Sequence, residues 1–281
     1  MRVFLTGATG FIGSNVLKAL CEENIDTIAI RRNICSQPKI PFVHKMAWLT
    51  KSLDEIGMDD LKNVDVLIHL ASHSVQHPFD SLDNCITFNV IHPLKLFKTA
   101  FAAGVKKFIV AGTCFEYGES GQSYDFIPVN APLLPTNTYA TSKAMAYLAF
   151  RQFTLDYPVA INYHRIFHVF GEGESFERLW PKIRIAAKEG VDLELSPGEQ
   201  LRDFIDVVDV ARQILASVKK IHLSEEKGMV VQNLGSGNPQ SVKEFVTYWW
   251  KRLEAKGKLK FGAIPYRENE VMRFVPKLKK D

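Results

Sequence analysis

Two short segments of this chain hold residue types that can do chemistry together. The first is Tyr139-Ala140-Thr141-Ser142-Lys143. A spacing of four puts Tyr139 and Lys143 one turn apart on the same helix face. A free tyrosine titrates near ~10, too high for an efficient proton shuttle at neutral pH. A nearby ammonium favours the phenolate and lowers that value, so the pair reads as an acid/base unit. Lysine also keeps donors to spare for a sugar hydroxyl of a cofactor. Ordinary helices carry the same pair, and the spacing alone decides nothing. Thr113 follows an apolar strand pattern at its carboxyl end. Its hydroxyl could share a substrate oxygen with Tyr139, or simply cap a turn. Cys114 has no sequence-adjacent histidine to activate it and reads as a small wall residue.

The second segment is Val3-Phe4-Leu5-Thr6-Gly7-Ala8-Thr9-Gly10-Phe11-Ile12-Gly13. A strand-like run breaks into three glycines spaced three apart. A helical pattern with Val16, Leu17 and Leu20 follows at once. Gly7 permits a sharp turn. Gly10 would let the backbone approach a pyrophosphate, and Gly13 would let the helix lie close to the strand. The new helix offers unpaired N–H groups and a positive dipole end. Gly7, Thr9, Gly10, Phe11, Ile12 and Gly13 are therefore a candidate dinucleotide-binding turn.

These residues need a scaffold, and the rest of the chain describes one. Strand patterns fall at 26–30, 64–71, 107–112, 159–163 and 229–233. Helical patterns fall at 84–103, ended by Gly104, at 138–155, stopped before Pro158, and at 241–255, with Trp249 and Trp250 packing a lobe. Such alternation predicts an α/β fold, a doubly wound parallel sheet with helices on both faces. Ligands then bind beyond the carboxyl ends of the strands. The last third is less regular. The reading is a dinucleotide-binding domain over 1–170 and a smaller substrate lobe over 171–281, with returning sheet elements near 203–211 and 229–235.

Composition narrows the function classes. Apolar residues make up 46% of the 281, enough for a sizeable core. A net charge of +4 with mixed signs argues for neither a nucleic-acid nor a membrane partner. No apolar run reaches transmembrane length and no charged leader is evident. Cys21, Cys35, Cys85 and Cys114 are scattered, which suits a reducing cytoplasm and predicts no disulfide framework and no metal site.

The chain resembles the extended short-chain dehydrogenase/reductases, in the sugar-nucleotide epimerase/dehydratase/reductase group. The resemblance rests on the glycine turn, His69-Leu70-Ala71-Ser72, Asn89-Val90, Thr113-Cys114-Phe115-Glu116-Tyr117-Gly118 and Tyr139-x-x-x-Lys143. It continues through Arg165-Ile166-Phe167-His168-Val169-Phe170-Gly171, the segment 202–211 and Asn233-Leu234-Gly235-Ser236-Gly237. It implies a Rossmann-type sheet with Tyr139 as general acid/base and Thr113 as its hydroxyl partner. Lys143 would hold the nicotinamide ribose. Leu70, Ala71 and Ser72 would line the cofactor. Arg202 and Arg267 would contact the diphosphate of a nucleotide-diphosphate sugar, where planar guanidinium donors suit paired oxygens. The group often forms homodimers through two long helices, here 84–103 and 138–155.

Departures from the family pattern narrow the reaction. Sites that select NAD often end the second strand with an acid; Arg31, followed by Arg32, stands there instead. That favours a 2′-phosphate and hence NADP(H), with NAD as the alternative. Dehydratases of the group carry an Asp-Glu pair after the active-site threonine. Here Cys114 and Phe115 occupy those positions, with Phe115 a substrate-side wall, so dehydration is disfavoured. His168 replaces a frequent asparagine and either donates to a cofactor or substrate phosphate or packs as a core histidine. Glu116 lies one residue later and is expected to point differently, its role open. The expected activity is NADPH-dependent reduction of the C4 ketone of a nucleotide-linked 4-keto-6-deoxy sugar. An NAD-dependent 4-epimerase is the alternative. A non-catalytic nucleotide sensor is disfavoured by the Tyr/Lys pair.

Overall fold

The computed structural model describes residues 1–42, 46–266 and 270–279. Its first half alternates strand and helix: β1 (Arg2–Thr6), α1 (Phe11–Glu22), β2 (Asp26–Arg31), β3 (Ala47–Thr50), β4 (Val66–His69), α2 (Leu82–Ile86), α3 (His92–Ala102) and β5 (Lys107–Thr113). Then follow α4 (Thr138–Asp156), β6 (Ala160–Ile166), β7 (His168–Phe170), α5 (Leu179–Glu189), β8 (Leu193–Leu195), β9 (Leu201–Asp206), α6 (Val207–Leu223) and β10 (Gly228–Leu234). The chain closes with β11 (Pro239–Ser241), α7 (Val242–Arg252), β12 (Leu259–Phe261) and β13 (Arg273–Phe274).

Seven strands form one parallel sheet in the order β10-β6-β5-β4-β1-β2-β3. All of its pairings are parallel. The strands therefore need both faces covered, and their sequences are near-continuous apolar runs. One face packs α1 and α6 over Val3, Leu5, Val66 and Ile68, with Val16, Leu17, Val210, Ile214 and Val218 from the helices. The other packs α3 and α4 over Phe4, Leu67, Phe108 and Val110, with Leu96, Phe97, Phe150 and Phe153. Each such side chain, fully buried, contributes roughly 1.5–3 kcal/mol.

The expected element near 203–211 does not return to the main sheet. Its first residues form β9, which joins β7, β11 and β13 in a second, smaller sheet. The rest begins α6, whose Val207, Val210, Ala211, Ile214, Leu215, Val218 and Ile221 recur at helical spacing and are buried. By contrast β10 pairs along β6 from Gly228↔Ala160 to Leu234↔Ile166. A further cluster beside the small sheet holds Phe245, Trp250, Ile183 and Leu195, with Trp249 stacked on Trp180 at 4.9 Å.

The expected single helix over 84–103 is broken. Between α2 and α3, Thr87–Ile91 winds as a π-turn. Pro93 explains it: proline has no N–H to offer the carbonyl of Asn89, and its ring crowds that carbonyl. The turn buries Asn89, whose Nδ2 donates to Ser142 Oγ at 2.9 Å and to the His73 carbonyl at 3.2 Å. The periodicity reading left β3, β7, β8, α5, β11, β12 and β13 unassigned, and these complete the sheets and their cover.

Candidate active site

The glycine turn lies between β1 and α1, at the carboxyl edge of the sheet. Gly7 has φ +73°, and a Cβ there would sit 2.6 Å from the Ala71 nitrogen. The turn is thus seated directly on 70–71. A Cβ at Gly13 would lie 1.9 Å from the Gly7 carbonyl oxygen, so this position also excludes any side chain. Thr6 fastens the two segments: its hydroxyl accepts from the Ala71 N–H at 3.2 Å and contacts His69 Nδ1 at 2.9 Å. Burial lowers His69 to about 3, so that ring is neutral. The N-terminus of α1 is capped by Gly10 without a side-chain hydrogen bond. The Gly10 N–H is taken by the Gly7 carbonyl at 2.9 Å, and the helix end that follows has the form that could receive a dinucleotide pyrophosphate on the backbone N–H groups of 11–13.

Arg31 closes β2. Its Nε donates to Thr50 Oγ1 at 3.2 Å, and its guanidinium lies 5.2 Å above the Trp48 ring centre. Arg32 follows beyond the strand and is exposed. Two guanidiniums therefore stand at the strand end where a carboxylate would select a free ribose hydroxyl.

Thr113 and Tyr139 arrive from β5 and α4. Thr113 is the last residue of β5 and also caps the following turn, its Oγ1 accepting from the Phe115 N–H at 3.3 Å. The turn-capping reading of this threonine is therefore seen directly. Asn137 caps α4 by accepting from the Ala140 N–H at 2.9 Å, which sets Tyr139 in the first turn. Tyr139 and Lys143 are both buried. Burial pushes the Tyr139 phenol above its ordinary value, while hydrogen bonds with the Thr113 and Ser72 side chains pull it back. Phe79 lies almost parallel to the Tyr139 ring, centres 6.1 Å apart.

Burial is the largest influence on the Tyr139 phenol and favours its neutral form, with the Glu116 charge acting in the same direction. The lysine turns its Nζ to the Ala111 carbonyl oxygen at 2.7 Å. Burial lowers its ammonium to about 8, with the Glu116 charge opposing that shift. Ser72, expected to line a cofactor, also reaches both Tyr139 and Asn89, with Oγ donating to Asn89 Oδ1 at 3.3 Å.

The opposite wall comes from β7, β9 and the segment after Thr113. Cys114 is buried, and burial pushes its thiol up to about 12, so it is no nucleophile. Phe115 is partly exposed, 6.1 Å from the His168 ring. His168 has a buried Nδ1 without a hydrogen-bond partner. Burial, then the charges of Arg202 and Arg178, hold it well below its ordinary value. Arg202 is the expected diphosphate contact, and the structure gives it a partner: its Nη2 donates to Glu270 Oε1 at 2.7 Å. Its charge still reaches Cys114 and His168. Arg178, which the sequence reading did not single out, acts on the same two residues. Arg267 lies outside the described residues.

Behind Thr113 sits a buried polar network that no sequence spacing announced. Glu116 is fully buried. Its Oε1 accepts from the Thr113 N–H at 2.8 Å and from Tyr163 Oη at 2.7 Å. Its Oε2 accepts from Arg165 Nε at 2.7 Å. Arg165 lies between the rings of Tyr117 and Tyr147, at 4.8 and 4.5 Å.

A family model described as the NAD dependent epimerase/dehydratase family matches residues 3–235. UDP-arabinose 4-epimerase 1 of Arabidopsis thaliana is 27% identical, the match covering 87% of this chain and 65% of that protein. The chain therefore spans just under two thirds of the plant protein's length. CDP-abequose synthase of Salmonella muenchen is 24% identical, over 96% of this chain and 87% of that protein. dTDP-6-deoxy-L-talose 4-dehydrogenase (NAD(+)) of Aggregatibacter actinomycetemcomitans is 27% identical, over 97% of this chain and 98% of that protein. Among solved structures, the NAD dependent NDP-hexosamine 5,6-dehydratase TunA is 27% identical with a TM-score of 0.83, covering 99% of this chain and 89% of that one.

Proposed function

The chain belongs to the NAD dependent epimerase/dehydratase family, and from that premise we propose that it reduces the C4 ketone of a nucleotide-linked 4-keto-6-deoxy sugar. The observation that carries this reading is Tyr139, a neutral phenol bracketed by the Thr113 and Ser72 hydroxyls, beside Cys114 and Phe115. Elimination of water needs proton-moving side chains at 114 and 115, and a thiol held up to about 12 and a phenyl ring do not supply them. A neutral phenol is the protonation state that a ketone reduction uses. The end-to-end match with the 4-dehydrogenase and the abequose synthase is consistent with action at C4.

In this reading the bound dinucleotide supplies the hydride. The glycine turn and the α1 N-terminus hold its pyrophosphate, and Arg31 and Arg32 receive a 2′-phosphate, which favours NADP(H). Tyr139 Oη gives its proton to the oxygen of the reacting carbonyl. Thr113 Oγ1 orients that oxygen. Lys143, released from Ala111, binds a ribose hydroxyl and offsets the charge left on the phenol. Arg202, Arg178 and His168 face the diphosphate, and Phe115 bounds the sugar.

The test is turnover with CDP-, dTDP- and GDP-linked 4-keto-6-deoxy sugars, comparing NADPH with NADH. Stoichiometric loss of NADPH with formation of one C4 epimer of the alcohol is expected. The match with plant and bacterial 4-epimerases keeps a second outcome in view. Interconversion of NDP-hexoses without net cofactor consumption would replace reduction by epimerisation.

A further inference from the structure

We propose that Glu116 is a positioning residue for the Thr113–Tyr139–Lys143 unit: its carboxylate fixes the backbone of Thr113 and is the buried negative charge that faces Lys143. The inference rests on the functional reading above, since it concerns the same unit.

The geometry carries it. Thr113 ends β5, and its hydroxyl direction follows from its backbone. That backbone is held on one side by the sheet, in register with Ile166 of β6. On the other side its N–H is held by Glu116 Oε1 at 2.8 Å. The same oxygen takes the Tyr163 hydroxyl at 2.7 Å, and the other takes Arg165 at 2.7 Å. The carboxylate is therefore locked from three directions and transmits that rigidity to one backbone amide. The chain has also made room for it. A Cβ at Gly112 would lie 2.6 Å from Glu116 Oε1 and 2.3 Å from Tyr163 Cε1. Only glycine at 112 admits both groups behind the reacting threonine.

Charge gives the second half of the argument. A buried carboxylate with a buried guanidinium is not needed to hold a strand end; apolar side chains would serve as well. Here the pair lies beside a buried ammonium. Around Lys143 stand His69 of β4 and Glu116 after β5, each coupled to it electrostatically, Tyr163 of β6, whose Oη donates to the Lys143 carbonyl at 3.5 Å, and Tyr139 one turn back on α4. His69 is neutral, and both phenols are raised by burial. Glu116 is thus the anion among them, and it works against the burial that lowers Lys143 to about 8. The same charge raises Tyr139. Loss of the carboxylate should therefore release protons from both catalytic groups at lower pH.

The experiment compares wild type with Glu116→Gln and Glu116→Asp, each checked by circular dichroism. Lys143 is followed in the free protein by NMR of ¹³Cε-labelled lysine, assigned through Lys143→Arg. The glutamine variant is expected to move the Lys143 titration to lower pH by roughly one unit. Its kcat should fall at least about tenfold with KM nearly unchanged, and its pH profile should shift the same way. The aspartate variant keeps the charge but withdraws it from the Thr113 amide. Its Lys143 titration should stay at the wild-type position while kcat falls. If Glu116→Gln alone does not fold, Glu116→Gln with Arg165→Met removes both buried charges together and takes its place. An unmoved Lys143 titration in the glutamine variant, or wild-type kcat in the aspartate variant, overturns the proposal. A shifted Lys143 in a protein that turns over no ketosugar leaves the role of Glu116 standing and rejects the proposed substrate instead.

Discussion

Lys143 Nζ donates to the carbonyl oxygen of Ala111 at 2.7 Å, so one side chain ties the catalytic helix to the strand that delivers Thr113. Together with the hydrogen bond between Tyr139 and Thr113, it joins the two elements that carry the proposed catalytic groups. It also accounts for how an ammonium survives burial: it has an oxygen to face and an anion, Glu116, within electrostatic reach.

The first prediction concerns the phenol. Tyr139→Phe removes one oxygen whose partners are side-chain hydroxyls of Thr113 and Ser72, and keeps the ring against Phe79. Turnover should drop by roughly 10²–10⁴, with the melting temperature little changed. Cofactor fluorescence titration should give a wild-type affinity. Undiminished turnover in this variant would remove Tyr139 from the chemistry.

The second concerns the glycine turn. Gly13→Ala drives a methyl to 1.9 Å from the Gly7 carbonyl oxygen, and backbone cannot swing aside as a side chain can. The turn must open, and the pyrophosphate cradle opens with it. Dinucleotide affinity should fall by about a hundredfold or more, equivalent to about 2.7 kcal/mol. Calorimetric titration with NADPH and with NADH measures it; an alanine variant with wild-type affinity would place the dinucleotide elsewhere.

A third follows from Glu174, whose Oε1 lies 3.4 Å from Arg178 Nε. Burial raises this carboxyl from 4.5 to about 7, and its Oε2 is buried without a partner. Between those two values the folded protein holds a proton that the unfolded chain releases. Stability therefore falls as pH rises from about 4.5 to about 7, by at most about 3 kcal/mol from this group. Chemical denaturation across that range, with Glu174→Gln alongside, should show the slope diminished in the variant. An identical slope in both proteins would contradict the assignment.

The fourth addresses assembly. A homodimer formed through 84–103 and α4 would cover Phe88, Ile91, Met145, Leu148 and Leu155, all exposed in the single chain. Light scattering should give twice the mass of 31.8 kDa for wild type and the single mass for Leu148→Arg. A monomeric wild type at micromolar concentration would end this expectation.

The parts of the molecule that repeat a simple rule were readable from residues alone. The strands β1, β2, β4, β5, β6 and β10 are apolar runs between turn signals, and α4 follows from the helical pattern over 138–155 that stops before Pro158. The glycine turn was readable because glycine there answers to geometry: Gly7 and Gly13 each lack space for a methyl. What stayed hidden depends on contacts between distant segments. Glu116 looked like a neighbour of missing carboxyls, and only β5 lying against β6 shows that Arg165 and Tyr163 receive it. Phe79 sits in a loop with no period, so nothing in 72–81 announced a stack on Tyr139. Arg202 seemed available to a phosphate because its partner Glu270 is 68 residues away. The helix α6 is the instructive miss. Its apolar spacing was present, but the segment before it reads as extended and that reading was carried too far.

The placement of α6 and β10 has a consequence for how this protein can vary. Chain order and spatial order disagree: 207–223 covers α1 and the first strands, and 228–234 closes the edge beside β6. A fragment ending at 170 would bare Val16, Leu17 and Leu20 to water. The segments proposed to face substrate are stitched on both sides into the parallel sheet and its covering helices. Such a molecule does not exchange its specificity by swapping a terminal module, as a cut-and-join architecture could. Under the proposed function, a change of substrate would have to come from substitutions and loop changes between fixed anchors, in stretches such as 114–136 and 171–178.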